Sequence, residues 1–350
     1  MILHLVGGFL GSGKTTAIIA AARHLLAAGQ RVGVVTNDQG RYLVDTAFFQ
    51  TQQVPTVEVT GGCFCCHYDD LEERLEELDR SALPHVIFAE SVGSCADLVA
   101  TVIRPLLQLR NIETRRTTFS VFADVRLLRR RLTGQPMPFS DEVVYIFDKQ
   151  MEEAGLLVIN KTDLVAEGEA QRVEQLARER FPGKALYRNS SLHADGAPGW
   201  LAQIESDQHL LAAEPLALDY GRYGAGEQEL AWFDARVRLW SANPRQTVLA
   251  FMEALAQALG DGQVPVGHVK VLVGGVKLSL VSAADTDWRQ AVPDLAPGAF
   301  EMLVNARAET GAEQLREMVR AALRQTGAER LEFEEESFHP GFPSPTHRIA

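Results

Sequence analysis

The sequence of 350 residues has only four cysteines, no long basic run and no dense histidine run, and each scarcity removes a class of function. Three of the cysteines, Cys63, Cys65 and Cys66, lie too close together to staple a fold, so a disulfide framework is excluded and a reducing compartment with metal or thiol chemistry is indicated. With 34 Lys+Arg against 46 Asp+Glu the net charge is -12, which argues against nucleic acid and anionic membrane surfaces as partners. The one basic cluster, Arg126, Arg129, Arg130 and Arg131, reads as a solvated helix face. No apolar run reaches membrane-spanning length, and the first residues enter a strand with no room for a signal peptide. A cytoplasmic protein is expected.

A hydrophobic content of 46% is ample for two packed cores. Short β-branched or apolar runs at 31–36, 54–59, 85–89, 117–123, 156–159 and 185–188 alternate with helical stretches. That alternation predicts an α/β domain over residues 1–213, a mostly parallel, right-handedly wound sheet of the P-loop NTPase kind. Residues 214–230, rich in Gly, Tyr and charge, read as a linker. Residues 231–335 run strand, helix, strands, helix, strand, with a Gly274-Gly275 turn, and predict a small α+β ferredoxin-like domain. The Pro-rich residues 336–350 read as an extended tail.

The organising stretch is Gly8-Phe9-Leu10-Gly11-Ser12-Gly13-Lys14-Thr15-Thr16, between an apolar strand and an Ala/Leu-rich helix. The glycines let successive N–H groups turn inward on phosphate oxygens, and the helix N-terminus adds partial positive charge. Gly8, Gly11, Ser12, Gly13, Lys14, Thr15 and Thr16 are therefore the expected triphosphate cradle, with Lys14 on the β- and γ-phosphates and Thr15 on Mg²⁺. A Gly-rich turn with a chance lysine is the plainer alternative, and its strand-to-helix setting counts against it.

Asn160-Lys161-Thr162-Asp163, after a buried strand, selects the base. A carboxylate at Asp163 can accept from the ring N–H and exocyclic amine of guanine, donors that adenine lacks, while Asn160 and Lys161 shape the pocket and Ser190 stands at the next strand end. GTP is the expected nucleotide. Glu90-Ser91-Val92-Gly93, also past a strand, offers an acid near Mg²⁺ and a Gly93 N–H for the γ-phosphate. Asp38 and Asp45, in the loop after the second strand, are placed to position Mg²⁺ or the attacking water. Thiolates at Cys63, Cys65 and Cys66 select Zn²⁺, Co²⁺ or Cu(I) over Mg²⁺, with Zn²⁺ first and Co²⁺ close behind. A further ligand is needed, and Glu58, His67, Asp38 and Cys95 all remain open.

GGFLGSGKTT, GGCFCC, ESVG and NKTD, in this order from Met1 to about Ser191, resemble the CobW-like GTPases, relatives of nickel-insertion GTPases. The resemblance implies that Cys63, Cys65 and Cys66 include the metal ligands, that nucleotide state controls them, that the family's acidic residue after the second strand falls on Asp38, and that its switch aspartate falls on Asp45. Asn37-Asp38-Gln39-Gly40 departs from the family's N-E-F-G by one methylene at the acid. The catalytic set is then Lys14, Thr15, Asp45 and Glu90. The expected function is a slow GTPase that delivers metal to a client metalloprotein, its site completed by a partner, a nucleotide-dependent homodimer or the metal itself. A metal-buffering protein with structural GTP and a P-loop small-molecule kinase are the alternatives.

Overall fold

The computed structural model describes residues 2–109, 116–206, 211 and 215–349. They form two compact units, the first made of Met1–Gln39, Gln52–Tyr223 and Pro343–Ala350, the second of Gly40–Thr51 and Gly224–Phe342. The chain thus enters the second unit twice and returns to the first at its end.

In chain order the elements up to the first sheet's end are β1 (Ile2–Gly7), α1 (Lys14–Ala27), β2 (Val32–Asn37), α2 (Val44–Thr51), β3 (Thr56–Val59), α3 (Tyr68–Ala82), β4 (Val86–Glu90), α4 (Arg104–Gln108) and β5 (Arg116–Asp124). There follow α5 (Val125–Leu132), α6 (Asp141–Glu153), β6 (Leu156–Asn160), α7 (Glu167–Arg180), β7 (Ala185–Arg188), α8 (Gly196–Glu205) and α9 (Tyr220–Glu229). The first unit's sheet has seven strands in the order β3-β2-β4-β1-β5-β6-β7, parallel throughout. Strands buried on both faces read as continuous apolar runs, which is why β2, β4 and β6 are buried along their whole length. Helix α3 shows the opposite pattern: Leu71, Leu75 and Leu78 recur at helical spacing and are buried, while Asp69, Asp70, Glu73, Glu76, Glu77 and Asp79 face out and Glu72 alone of its acids is buried. Gly33 on β2 leaves room for Leu78, since a Cβ there would lie 2.5 Å from Leu78 Cδ2.

The second unit is built on β8 (Leu230–Ser241), α10 (Pro244–Asp261), β9 (Val266–Val273), β10 (Val276–Leu280), α11 (Trp288–Ala291), β11 (Gly298–Glu309), α12 (Ala312–Arg324) and β12 (Arg330–Phe338), together with α2. Its antiparallel sheet runs β10-β9-β11-β8-β12, a split βαβ order with β10 added at one edge through the Gly274-Gly275 turn. Val248, Phe251, Met252 and Leu255 of α10 and Leu315 and Val319 of α12 fill its core.

The structure differs from the sequence expectations in three places. Asp45, read in the loop after the second strand, lies on a helix, Val44–Thr51, of the second unit. The expected linker 214–230 contains α9. The last residues, 343–350, join the first unit, with Ile349 N–H donating to Ala100 O at 2.9 Å.

Candidate functional site

Parallel strands place their C-terminal ends on one side, and the loops of interest leave from those ends. After β1 the chain turns through Gly8 at φ 126 and Gly13 at φ 94, conformations that L side chains rarely adopt. A Cβ on Gly8 would stand 2.2 Å from Phe122 O, and one on Gly13 would stand 2.5 Å from Asn160 Nδ2. The curl is held from inside by Lys14, whose Nζ donates to Gly8 O at 2.7 Å and Phe9 O at 3.4 Å. It is held from outside by Asn160 Nδ2, which donates to Ser12 O at 2.8 Å. Ser12 Oγ is buried with no partner among the described residues, an orphan that a phosphate oxygen would satisfy.

Beside this loop, Thr15 Oγ1 donates to Glu90 Oε1 at 2.8 Å, bringing a hydroxyl and a carboxylate together at the start of α1 and the end of β4. These are hard oxygen donors of the kind Mg²⁺ takes. Gly93 lies so near Leu10 that a Cβ would sit 2.6 Å from its Cδ2, so the backbone itself approaches the loop. The Gly93 and Cys95 carbonyls both accept from Gln150 Nε2, at 3.0 and 2.9 Å.

At the far end, Asn160 Oδ1 accepts from Asn189 Nδ2 at 3.1 Å and Ser191 Oγ at 2.9 Å. Lys161, at φ 62, reaches Asp124 Oδ2 at 3.1 Å. Burial opposes ionisation of Asp124, but Arg126 and Lys161 hold its carboxyl below the ordinary carboxylate range. Asp163 stands exposed on a short turn, Thr162–Leu164, and Ser190 Oγ is buried without a partner among the described residues. An exposed carboxylate beside braced amides suits recognition of a planar base.

The cysteine loop follows β3. Asn37, ending β2, fixes it at both ends: its Nδ2 donates to Val59 O at 3.1 Å and Gly62 O at 2.7 Å, and its Oδ1 accepts from Phe64 N–H at 2.8 Å. The Cys66 and His67 N–H groups both donate to Cys63 O at 2.9 Å, which folds the three thiols onto one another. Their sulfurs are 3.0 Å (Cys63 to Cys65), 3.3 Å (Cys63 to Cys66) and 3.7 Å (Cys65 to Cys66) apart. The thiols of Cys65, Cys66 and Cys95 hydrogen-bond to Cys63 and pull its pKa well down; burial opposes this. The contact with Cys63 drives the Cys65 thiol well up and pushes the Cys66 thiol up to about 11. Around a tetrahedral ion with metal–sulfur bonds of about 2.3 Å, sulfurs stand about 3.8 Å apart, so the cluster needs only a small opening to hold Zn²⁺ or Co²⁺.

The chain's end closes on this loop. Ser344 N–H donates to Cys66 Sγ at 3.3 Å, Thr346 N–H to Cys65 O at 2.8 Å and Thr346 Oγ1 to Cys66 O at 3.3 Å. His347 meets Tyr68 edge-on with ring centroids 4.9 Å apart, and Arg348 Nε pairs with buried Asp97 Oδ2 at 2.7 Å. Residues 344–349 therefore tie the cysteine loop to the segment after β4.

Comparison with known proteins identifies the frame. Residues 2–187 match the family described as CobW/HypB/UreG, nucleotide-binding domain. The chain belongs to this family. It is 25% identical over 327 residues to zinc chaperone YeiR of Escherichia coli (strain K12), covering 81% of this chain and 94% of that protein. It is 29% identical over 183 residues to zinc chaperone CobW of a Sinorhizobium species, covering 46% of this chain and 51% of that one. Among solved structures, Zn(II)-bound YjiA GTPase from E. coli aligns over 92% of this chain and 98% of its own, with 17% identity and a TM-score of 0.39.

Within this family member the structure brings Gly8, Gly11, Ser12, Gly13, Lys14, Thr15 and Thr16 into one loop, with Glu90, Gly93 and Asn160 around it. Cys63, Cys65 and Cys66 form the one group of three metal-ligating side chains among the described residues, with ligand atoms within 4.8 Å of one another. Asp38, half-buried, and Glu58, exposed on the edge strand β3, are not in that group, and His67 Nδ1 is engaged by Asp70 Oδ2 at 3.0 Å. Asp45 lies on α2. It belongs to the second unit, where Lys270 and Lys277 grip its carboxylate. Burial opposes its ionisation, yet the two ammoniums hold its carboxyl well below the usual range.

Sequence reasoning gave no role to Asn37, Asp124, Gln150 or the tail. Asn37 and Asp124 each end a strand whose neighbours end in loops already singled out, a signal that was available. The tail carries no periodicity to read.

Proposed function

We propose that this chain is a GTP-hydrolysing metallochaperone that carries a thiophilic divalent ion, Zn²⁺ ahead of Co²⁺, at Cys63, Cys65 and Cys66 and hands it to a client metalloprotein. The observation that carries this reading is the clustering of three thiols on the same unit as a Lys14-centred phosphate cradle. The names of the relatives support it: two are zinc chaperones, and a Dictyostelium discoideum relative, 23% identical over 264 residues, is a zinc-regulated GTPase metalloprotein activator.

Phosphoryl transfer is a matter of positioning and charge neutralisation. Lys14 leaves the carbonyls it now holds to meet the β- and γ-phosphate oxygens, the Gly13 side of the loop and the α1 N-terminus supply N–H groups, and Gly93 N–H faces the γ-phosphate. Thr15 and Glu90 are the oxygen donors for Mg²⁺, which supplies charge neutralisation when bound. Asp163 selects guanine, with Asn160, Lys161 and Ser190 shaping the base site. Asp45 has a structural part in the second unit, since its carboxylate is held between two lysines. No residue in the cradle acts as an arginine finger in this reading, so turnover is slow until a client, a second copy of the chain or the metal completes the site. Reduced thiols suit a cytoplasmic location.

The test is GTP hydrolysis by the full chain with and without Zn²⁺. Slow turnover that is abolished by Lys14→Ala, at least 100-fold down, supports the reading. Transfer of the γ-phosphate to a small acceptor, or preference for ATP, contradicts it.

A further inference from the structure

The chain's last residues lie over the cysteine loop as an extended peptide. Pro343, Pro345, His347 and Ile349 are half-buried while Ser344, Thr346 and Arg348 between them are exposed, the period of two of a strand laid on a surface. The main chain supplies the grip: Ser344 N–H donates to Cys66 Sγ at 3.3 Å, Thr346 N–H to Cys65 O at 2.8 Å and Ile349 N–H to Ala100 O at 2.9 Å. Two side chains supply the identity, His347 edge-on to Tyr68 and Arg348 on Asp97. Main-chain bonds for affinity and a few side chains for choice is how proteins take up extended peptides. Of the three thiols, Cys63 and Cys65 are buried and Cys66 is half-buried, so Cys66 is the sulfur that an incoming ligand meets first. It is also the one that Ser344 covers.

We infer that the surface under residues 343–349 is a docking site for an extended, arginine-bearing segment of the protein that receives the metal, and that the tail is its occupant in cis, a strap that such a segment displaces. The inference rests on the metallochaperone reading above. Asp97 decides what can lift the strap. Its side chain is fully buried, its backbone stands at φ 64, and its carbonyl is pinned by Thr101 N–H at 3.0 Å and Thr101 Oγ1 at 2.7 Å. The carboxylate is therefore held in place whatever the tail does. It accepts on one oxygen: Arg348 Nε and Tyr220 OH both reach Oδ2, each at 2.7 Å. Arg348 Nη2 turns instead to Leu216 O at 2.9 Å, and Asp97 Oδ1 has no hydrogen-bond partner among the described residues. A strap that merely swings away leaves a buried carboxylate without its cation, which is costly, so the surface is exchanged rather than vacated. A guanidinium that meets Asp97 with both arms satisfies both oxygens and outcompetes the one now bound. The tail thus holds firmly enough to cover Cys66 and imperfectly enough to be replaced. Replacement uncovers Cys66 at the moment the acceptor's own ligands are brought beside it.

The experiment has two arms, both on the full, reduced chain. In the first, a fluorescent peptide with the sequence of residues 343–350 is titrated with metal-free protein and its anisotropy followed. It binds the Arg348→Ala chain, whose own strap is unlatched, about tenfold or more tighter than the parent, and the same peptide carrying Arg348→Ala binds neither. The Arg348→Lys chain, which keeps a cation without the fork, falls between the two. In the second arm, zinc-loaded protein gives its ion to a small chelator or to a metal-free zinc-finger peptide. Arg348→Ala speeds transfer to the zinc finger about tenfold or more and to the chelator about threefold or less, since only the larger acceptor needs the strap out of its way. A peptide that binds neither chain, or binds equally well without its arginine, overturns the docking site. Equal acceleration for both acceptors, or none for either, overturns the strap. Failure of the underlying reading looks different: a Cys66→Ala chain that binds zinc as the parent does removes the metal from the account, while arginine-dependent peptide binding to the metal-free chain still supports the docking site.

Discussion

The phosphate loop and the cysteine loop leave the same edge of one sheet, yet they are held in opposite ways. The phosphate loop is self-sufficient: its shape comes from glycines at positive φ and from a lysine that bonds the loop's own carbonyls. Two of its distant braces, Asn160 and Glu90, themselves belong to stretches past strand ends at the same site. The cysteine loop supplies its ligands and the turn at Cys63 O that gathers them, and the rest of its support is borrowed. Asn37 of β2 and the chain's last residues brace it from positions far apart in the sequence. A loop that carries its own geometry reproduces one bound shape, as a nucleotide cradle must. One braced by neighbours from several segments changes its grip when any of them shifts, which is what a donor of metal needs.

That contrast can be broken most forcefully at Gly13. Gly13→Ala forces a Cβ against Asn160 in a backbone conformation that alanine resists, and nucleotide affinity should fall by about 100-fold or more by calorimetry. Zinc stoichiometry of the GDP-free chain should be untouched. Replacing Cys65 and Cys66 together by alanine should do the reverse, lowering Zn²⁺ affinity about 100-fold in a competition assay while GDP affinity stays within about twofold. Loss of GDP binding in that double variant would mean the two loops are one structural unit.

Removing residues 344–350 gives a smaller effect that sharpens the comparison. It takes away the N–H that meets Cys66 Sγ and the bonds to the Cys65 and Cys66 carbonyls, so Zn²⁺ affinity should drop about three- to tenfold and zinc release should quicken, with nucleotide affinity unchanged. A tail that is merely decorative would leave zinc release as it was.

The smallest effect concerns the segment after Cys95. Glu153, at the end of α6, is buried and accepts from Val99 N–H at 2.5 Å. Burial, then the charge of Asp97, push its carboxyl up to about 8. A raised carboxyl favours the protonated native form, so its contribution to stability is complete below the ordinary value of 4.5 and is lost as pH rises through about 8. The melting temperature of the metal-free chain should fall by several degrees between pH 6 and pH 8.5, and Glu153→Gln should flatten roughly half of that slope. A variant with the parent's full slope would place the titrating group elsewhere.

The comparison also explains what could be read in advance. The seven-stranded parallel sheet and the split βαβ sheet were legible because their strands are continuous apolar or β-branched runs. The phosphate loop and Asn160 to Asp163 were legible because their chemistry is local: glycine, lysine and an acid at fixed spacing. Helix α2 was not, since eight residues with only Val44, Thr46 and Phe49 buried carry too short a period. The tail escaped because Pro340, Pro343 and Pro345 interrupt any pattern, and its order comes from main-chain bonds to Cys65, Cys66 and Ala100. Cys95 could be named as a candidate ligand from the sequence, and the group of three thiols does not include it. Asp45 looked like a nucleotide residue from its place after β2, and the lysines that engage it lie on β9 and β10.

The central claim is that nucleotide state sets the grip on the metal. Its most direct test is the Zn²⁺ dissociation constant of the full, reduced chain, measured by chelator competition with Mg²⁺ and a non-hydrolysable GTP analogue, and again with GDP. Because an effector must bind two states differently to shift them, the account predicts affinities that differ by about tenfold or more between the two nucleotides. Equal affinities in both would contradict it.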